Sequence, residues 1–296
     1  MFILSILFVL PLLLFWPDDA FAWGPATHLQ LGWHVLSNPA MLIAPVRPLL
    51  EAFPYDYLYG CISADIVVGK RFTRELHHCH NWHVGFKVLD RANSPSQKAF
   101  AYGYLSHLAA DTIAHNYYVP EKMVTSYSTR FLRHIYWEMR FDALADNIVW
   151  DLPRKIMKDV HEDNDPLLES VIENTLLSFS TNKTIFNNFV LIHRMEQWHK
   201  MINRLSSYSK WVLHKEDVDI YYRNSLNAIL DLLHQQNMAM CIKEDPTGRK
   251  NLAMAKRLRK KLKFMKRNGI GTTIIPPVFP FKEASHLSAE IRKNRA

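Results

Sequence analysis

Apolar residues recur at intervals of three and four along this chain. Leu226, Ile229, Leu230 and Leu233 keep that interval, and Val171, Ile172, Leu176 and Leu177 form two apolar pairs about one helical turn apart; a stripe with this period forms one face of an α-helix. No glycine falls between Gly103 and Gly248, and no proline between Pro166 and Pro246, so long helices can run there without the residues that stop them. No convincing alternation of period two competes. The pattern predicts an all-α protein built as a single multi-helix domain.

The first 22 residues depart from this pattern. Phe2 to Trp16 is a nearly continuous apolar run of 15 residues, short of the roughly 20 that span a bilayer as a helix. Pro17, two acidic residues and the sequence Ala20-Phe21-Ala22 follow it, which reads as a signal peptide with an A-x-A cleavage site. No Lys or Arg precedes the run, so an uncleaved membrane anchor is the alternative. Export, periplasmic or secreted, would place the mature chain where cysteines can pair. Cys61 and Cys79 fit a bridge and fit inert buried thiols equally well.

The whole chain has 296 residues, 48% of them hydrophobic, with a formal charge of +8. That content supports a substantial core and argues against disorder. The charge is concentrated: from Lys243 to Arg267 there are eleven Lys or Arg against Glu244 and Asp245, with Leu252, Met254, Leu258, Leu262 and Phe264 interleaved. This is the composition of a basic amphipathic helix, suited to an anionic membrane surface or to packing on the main body. Beyond Gly269 the Pro-containing tail reads as extended. The expected organisation is residues 1–22 as signal peptide, 23–245 as the helical domain, and 246–296 as basic helix and tail.

Candidate chemistry sits in the stretch from Gly103 to Pro120. His107, Asp111 and His115 are four residues apart, and His134 and Glu138 repeat the interval. Side chains four apart stack on one helix face about 6 Å from each other, close enough to share a metal ion. A set of His, Asp and Glu without Cys is typical of catalytic zinc. Thr27 and Gln30 fit an N-cap and N3 pair, which would start a helix at His28.

The chain resembles the zinc-dependent phospholipase C family, including the N-terminal domain of glycosylphosphatidylinositol-specific phospholipase D. The resemblance is carried, in order, by WGPATHLQLGWHVL at 23–36, YGCISADIVVGKRF at 59–72, HCHNWHVGF at 78–86, GYLSHLAADTIAH at 103–115 and HIYWE at 134–138. It implies an all-helical fold holding up to three zinc ions. The first zinc would be bound by Asp65, His80, His107 and Asp111, and the second by His115, His134 and Glu138. The third would take the amino and carbonyl groups of Trp23, His28, and Asp111 as a bridge. His83 competes with His80 in this reading, and His34 with His28.

The activity so implied is hydrolysis of membrane phospholipids by a zinc-bound hydroxide, with Asp65 as the residue that orients or deprotonates the water. Two alternatives accompany it. One is a phosphodiesterase resembling the zinc-dependent single-strand nucleases, which Glu138 and the Asp111–His115 spacing disfavour. The other is a non-catalytic, metal-stabilised, membrane-associated protein that retains its anchor.

Overall fold

The computed structural model describes residues 23–67, 78–128, 134–159, 161–172, 175, 177–193, 211–271, 278 and 279, with single positions at 200, 202, 204, 207 and 209. The expected signal peptide lies outside them. The helices are α1 (Pro25–Ser37), α2 (Arg47–Ala52), α3 (Pro54–Ser63), α4 (Trp82–Arg91), α5 (Pro95–Ile113), α6 (Val119–Thr125), α7 (His134–Asp142), α8 (Leu152–Asp159), α9 (His161–Val171), α10 (Phe179–His193), α11 (Lys215–Gln235) and α12 (Arg249–Arg267). No strand occurs among the described residues, and no helix there is long and apolar enough to cross a membrane. The protein is all-α, as the periodicity predicts.

Helix α5 is the axis of the molecule. From Ala99 to Ile113 nearly every residue is buried, so this helix lacks the polar face of a surface helix and is enclosed by its neighbours. Its start is fixed by Ser94, whose hydroxyl accepts the Gln97 N–H at 3.2 Å, with Pro95 in the first helical position; both are favoured there because the first turn has spare N–H groups and proline lacks one. Helices α1, α3, α4 and α11 pack around it. On α11 the four residues named by periodicity, Leu226, Ile229, Leu230 and Leu233, are all buried. The other periodic set is interrupted, because α9 ends at Val171; Leu177 is half-buried beyond it and Leu176 is outside the described residues.

The crossing of α3 and α5 is made by two glycines. A Cβ on Gly60 of α3 would stand 2.0 Å from the Phe100 carbonyl oxygen, and one on Gly103 of α5 would stand 2.0 Å from that of Tyr57. Backbone meets backbone at this point, which leaves room for no side chain. Nearby, Cys61 and Cys79 are buried free thiols, and burial pushes the Cys61 thiol above its ordinary range. The bridge between them that the sequence permits is not formed.

After α5 the chain makes one wider turn, a π-helix over Ala114–Tyr118, before resuming as α6. Pro120 accounts for it. Proline has no N–H to give the carbonyl four residues back, and its ring collides with that carbonyl. The carbonyl concerned is that of Asn116, and it accepts a hydrogen bond from Asn251 Nδ2 at 2.9 Å instead. The chain around residue 245 therefore packs directly on this turn: Asn116 Nδ2 donates to the Asp245 carbonyl at 2.8 Å, and Trp82 Nε1 to that of Glu244 at 2.9 Å.

Candidate metal centre

Five of the nine expected donors form one cluster, centred on Asp111. His28 comes from α1, Asp65 from the single 3-10 turn Ala64–Ile66 after α3, and His80 from the residues preceding α4. His107 and Asp111 lie one turn apart on α5. Asp111 Oδ1 is 3.2 Å from His28 Nε2, while Oδ2 is 3.1 Å from His80 Nε2 and 3.3 Å from His107 Nε2. His80 Nε2 also lies 3.3 Å from Asp65 Oδ1 and 3.0 Å from His107 Nε2. The His28 and His107 rings stack at 3.8 Å. All five side chains are buried, Asp111 completely.

The outer nitrogens of His107 and His115 each have a backbone partner. Cys61 is in the last turn of α3, where carbonyls have no helical donor, and His107 Nδ1 lies 2.8 Å from its oxygen. A carbonyl can only accept, so Nδ1 carries the proton and Nε2 turns its lone pair toward Asp111. His115 is held in the same way, with Nδ1 2.6 Å from the Pro246 carbonyl. The turn supplying that carbonyl needs glycine. Gly248 has φ +58, the left-handed region, and a Cβ there would stand 2.4 Å from the His115 oxygen.

These surroundings set the ionisation of the donors. Burial alone would raise the Asp111 pKa, but the imidazoles of His107, His28 and His80 beside it hold the carboxyl well below the usual carboxylate range. Burial, and then the neighbouring His107, lowers the pKa of His28. An ionised carboxylate beside a neutral imidazole is the protonation state that metal binding requires. His28 Nε2 and both Asp111 oxygens are buried without a hydrogen bond, although the nitrogens stand within 3.3 Å of the oxygens. Buried polar atoms are rarely left in that state, and a cation among them would satisfy all three. The residues fit a zinc ion in donor type, burial and orientation.

The remaining expected donors are placed as follows. His115 and Glu138 form a second pair, with Nε2 4.0 Å from Oε1. His134 begins α7, and its side chain is outside the described residues. Trp23 is buried, with its indole N–H donating to the Ala110 carbonyl at 3.2 Å and its ring 4.0 Å from that of Phe141. It thus lies beside Asp111, between α5 and α7. His83 is exposed, and His34 is half-buried, 3.4 Å from the Tyr222 hydroxyl; neither joins the cluster. His78, a competitor of His80 for one ligand position in the sequence, and Cys79, a candidate there for a bridge, gather around His80: His78 Nδ1 accepts the His80 N–H at 3.1 Å, and Cys79 Sγ is 3.3 Å from His80 Nδ1. Their only signal in the sequence is the His77-His78-Cys79-His80 run.

The start of α1 corrects the expected cap. Pro25, not His28, opens the helix, and Thr27 is its third residue rather than its cap. The cap is supplied from α7: Asp142 Oδ1 accepts the Thr27 N–H at 2.6 Å and its hydroxyl at 2.9 Å. Gln30 bonds instead with Asp146, at 3.3 Å. Asp142 fits against the first turn because residue 24 is glycine, where a Cβ would stand 2.4 Å from the carboxyl carbon. Gly24→Ala should therefore displace this carboxylate and lower stability by about 1–2 kcal/mol. Thr27→Ala, which keeps the backbone bond, should cost less. Thermal unfolding of the two variants side by side checks the order.

The family model for zinc dependent phospholipase C matches residues 27–209. No curated protein and no solved structure matches the chain. The matched region contains eight of the nine expected donors, including all five gathered around Asp111, and it covers more than half of the sequence. The chain belongs to the zinc-dependent phospholipase C family.

Proposed function

We propose that this protein is a zinc-dependent phosphodiester hydrolase that acts on membrane phospholipids, releasing a phosphorylated headgroup and diacylglycerol. The observation that carries the reading is the set of three imidazole nitrogens within 3.3 Å of the carboxylate oxygens of a fully buried, ionised Asp111. Asp65, His80, His107 and Asp111 are assigned to one zinc, and His115, His134 and Glu138 to a second. His28, Asp111 and Trp23, the last with its amino group freed by cleavage after Ala22, are assigned to a third. We accordingly take the protein to be exported.

Zinc in these positions supplies charge neutralisation at phosphorus and lowers the pKa of a bound water. The chain's own groups do the rest. Asp111, kept ionised by His107, His28 and His80, carries the negative charge that holds the cluster together. Cys61 and Pro246 fix the imidazoles of His107 and His115 through their backbone oxygens, so those rings need no reorganisation during turnover. Asp65 is assigned to orient the attacking water and accept its proton, being the less deeply buried of the two carboxylates in the cluster.

Hydrolysis of phosphatidylcholine, phosphatidylinositol and single-stranded DNA, with and without chelator, tests the proposal. Chelator-sensitive release of diacylglycerol from a phospholipid is expected. DNA as the only substrate, or lipid hydrolysis that survives chelation, would overturn it.

A further inference from the structure

Helix α12 carries ten Lys or Arg in its 19 residues and no acidic residue. Leu252 and Ala255 face the body and are buried, and Leu258 and Leu262 pack beside them. On the opposite face, among the described residues, the side chains are exposed. Lys250, Met254, Arg257, Lys261 and Phe264, spaced by four, three, four and three, form one exposed stripe, and Lys260 lies beside it. Met254 is 48% exposed and Phe264 65%, with Ile270 at 49% just past the helix.

We propose that the outer face of α12 docks this protein on an anionic phospholipid bilayer. Charge argues for an anionic partner, and the apolar side chains identify which one. Met254, Phe264 and Ile270 emerge among the cations, where a headgroup region gives them acyl chain to enter while the lysine and arginine stems keep their charges at phosphate level. A nucleic acid backbone offers nothing to methionine or isoleucine, since bases are bound by aromatic stacking and Arg or Lys contacts. The helix is also tied to the candidate metal centre. It leaves from the turn whose Pro246 carbonyl holds His115, and its Asn251 side chain caps the Asn116 carbonyl in the π-turn. A bilayer bound along α12 therefore meets the side of the molecule from which His115 is positioned.

The docking surface stands independently of the proposed reaction, and the test separates them. The full-length protein is mixed with vesicles of phosphatidylcholine alone and with about one-third phosphatidylserine, and bound protein is measured by sedimentation at several salt concentrations. Anionic vesicles are expected to bind it more tightly than neutral ones, with the difference fading as salt rises. The triple variant Arg257→Gln, Lys260→Gln, Lys261→Gln should lose that difference by about fivefold per charge, or roughly a hundredfold, and Phe264→Ala should weaken it further. Hydrolysis of monomeric short-chain phosphatidylcholine should be the same in the triple variant and the wild type. Equal binding of wild type and triple variant to anionic vesicles, or tighter binding to a DNA duplex than to the vesicles at equal salt, would overturn the inference. Loss of short-chain hydrolysis with normal vesicle binding would count against the reaction and leave the docking surface standing.

Discussion

Asp111→Asn is expected to abolish zinc retention at the centre and to lower phosphodiester hydrolysis about a thousandfold or more. Asn is nearly the same size as Asp, so the change removes charge and leaves the packing largely intact. Asp111 lies within 3.3 Å of all three imidazoles of His28, His80 and His107, so its loss affects both zinc positions in which we place it. Metal neutralisation of the reacting phosphoryl group is worth several kcal/mol, and about 4 kcal/mol corresponds to a thousandfold in rate. Far-ultraviolet circular dichroism should be unchanged, because α5 needs no carboxylate to form. A variant with normal zinc content and normal turnover would show that Asp111 is not the hub.

The second large effect involves no functional side chain. Gly103→Ala, and equally Gly60→Ala, is expected to destabilise the fold by about 3–5 kcal/mol, at the upper end of the cost of overpacking. The new methyl group would lie 2.0 Å from a carbonyl oxygen of the facing helix. A carbonyl in a helix cannot rotate away as a side chain can, so the two helices must separate. The candidate centre would separate with them: His107 and Asp111 lie four and eight residues past Gly103, while the Cys61 carbonyl that orients His107 adjoins Gly60. Thermal unfolding and zinc content should thus fall together. A Gly103→Ala protein as stable as wild type would contradict the tight crossing. By comparison, Gly85→Ala meets the side-chain ends of Leu105 and Leu108 at 2.8 Å, which can shift, and should cost less.

The sequence exposes the parts of this molecule whose causes are local. The interval of three and four on α11 is enough to name its buried residues, because the side-chain pattern and the helix period are the same quantity. The His107–Asp111 pair is legible for the same reason. The family resemblance adds Asp65, His80 and Trp23 and favours His28 over His34; no spacing connects these residues, since they arrive from other parts of the chain. His115 shows the limit of spacing. It keeps the interval of four in sequence, yet Pro120 widens the turn that contains it, and its ring is oriented by a carbonyl 131 residues away. Asp142 was hidden for a related reason: a cap supplied by another helix has no fixed offset from the residue it caps. The glycines at 60 and 103 are visible as letters, but their meaning depends on which helices cross.

The basic segment shows how one pattern can support two structural roles at once. Its apolar residues divide between the buried side of α12, at Leu252, and the exposed side, at Phe264. Composition alone gives the amphipathic character of such a helix, whereas packing decides which apolar residues remain available to a partner.

The central claim is that the buried His and Asp cluster exists to hold zinc. Elemental analysis of the folded, dialysed protein tests it most directly. Two to three zinc ions per chain are expected, falling sharply in Asp111→Asn; a cooperatively folding wild-type protein with no bound zinc after exposure to the metal would contradict the claim.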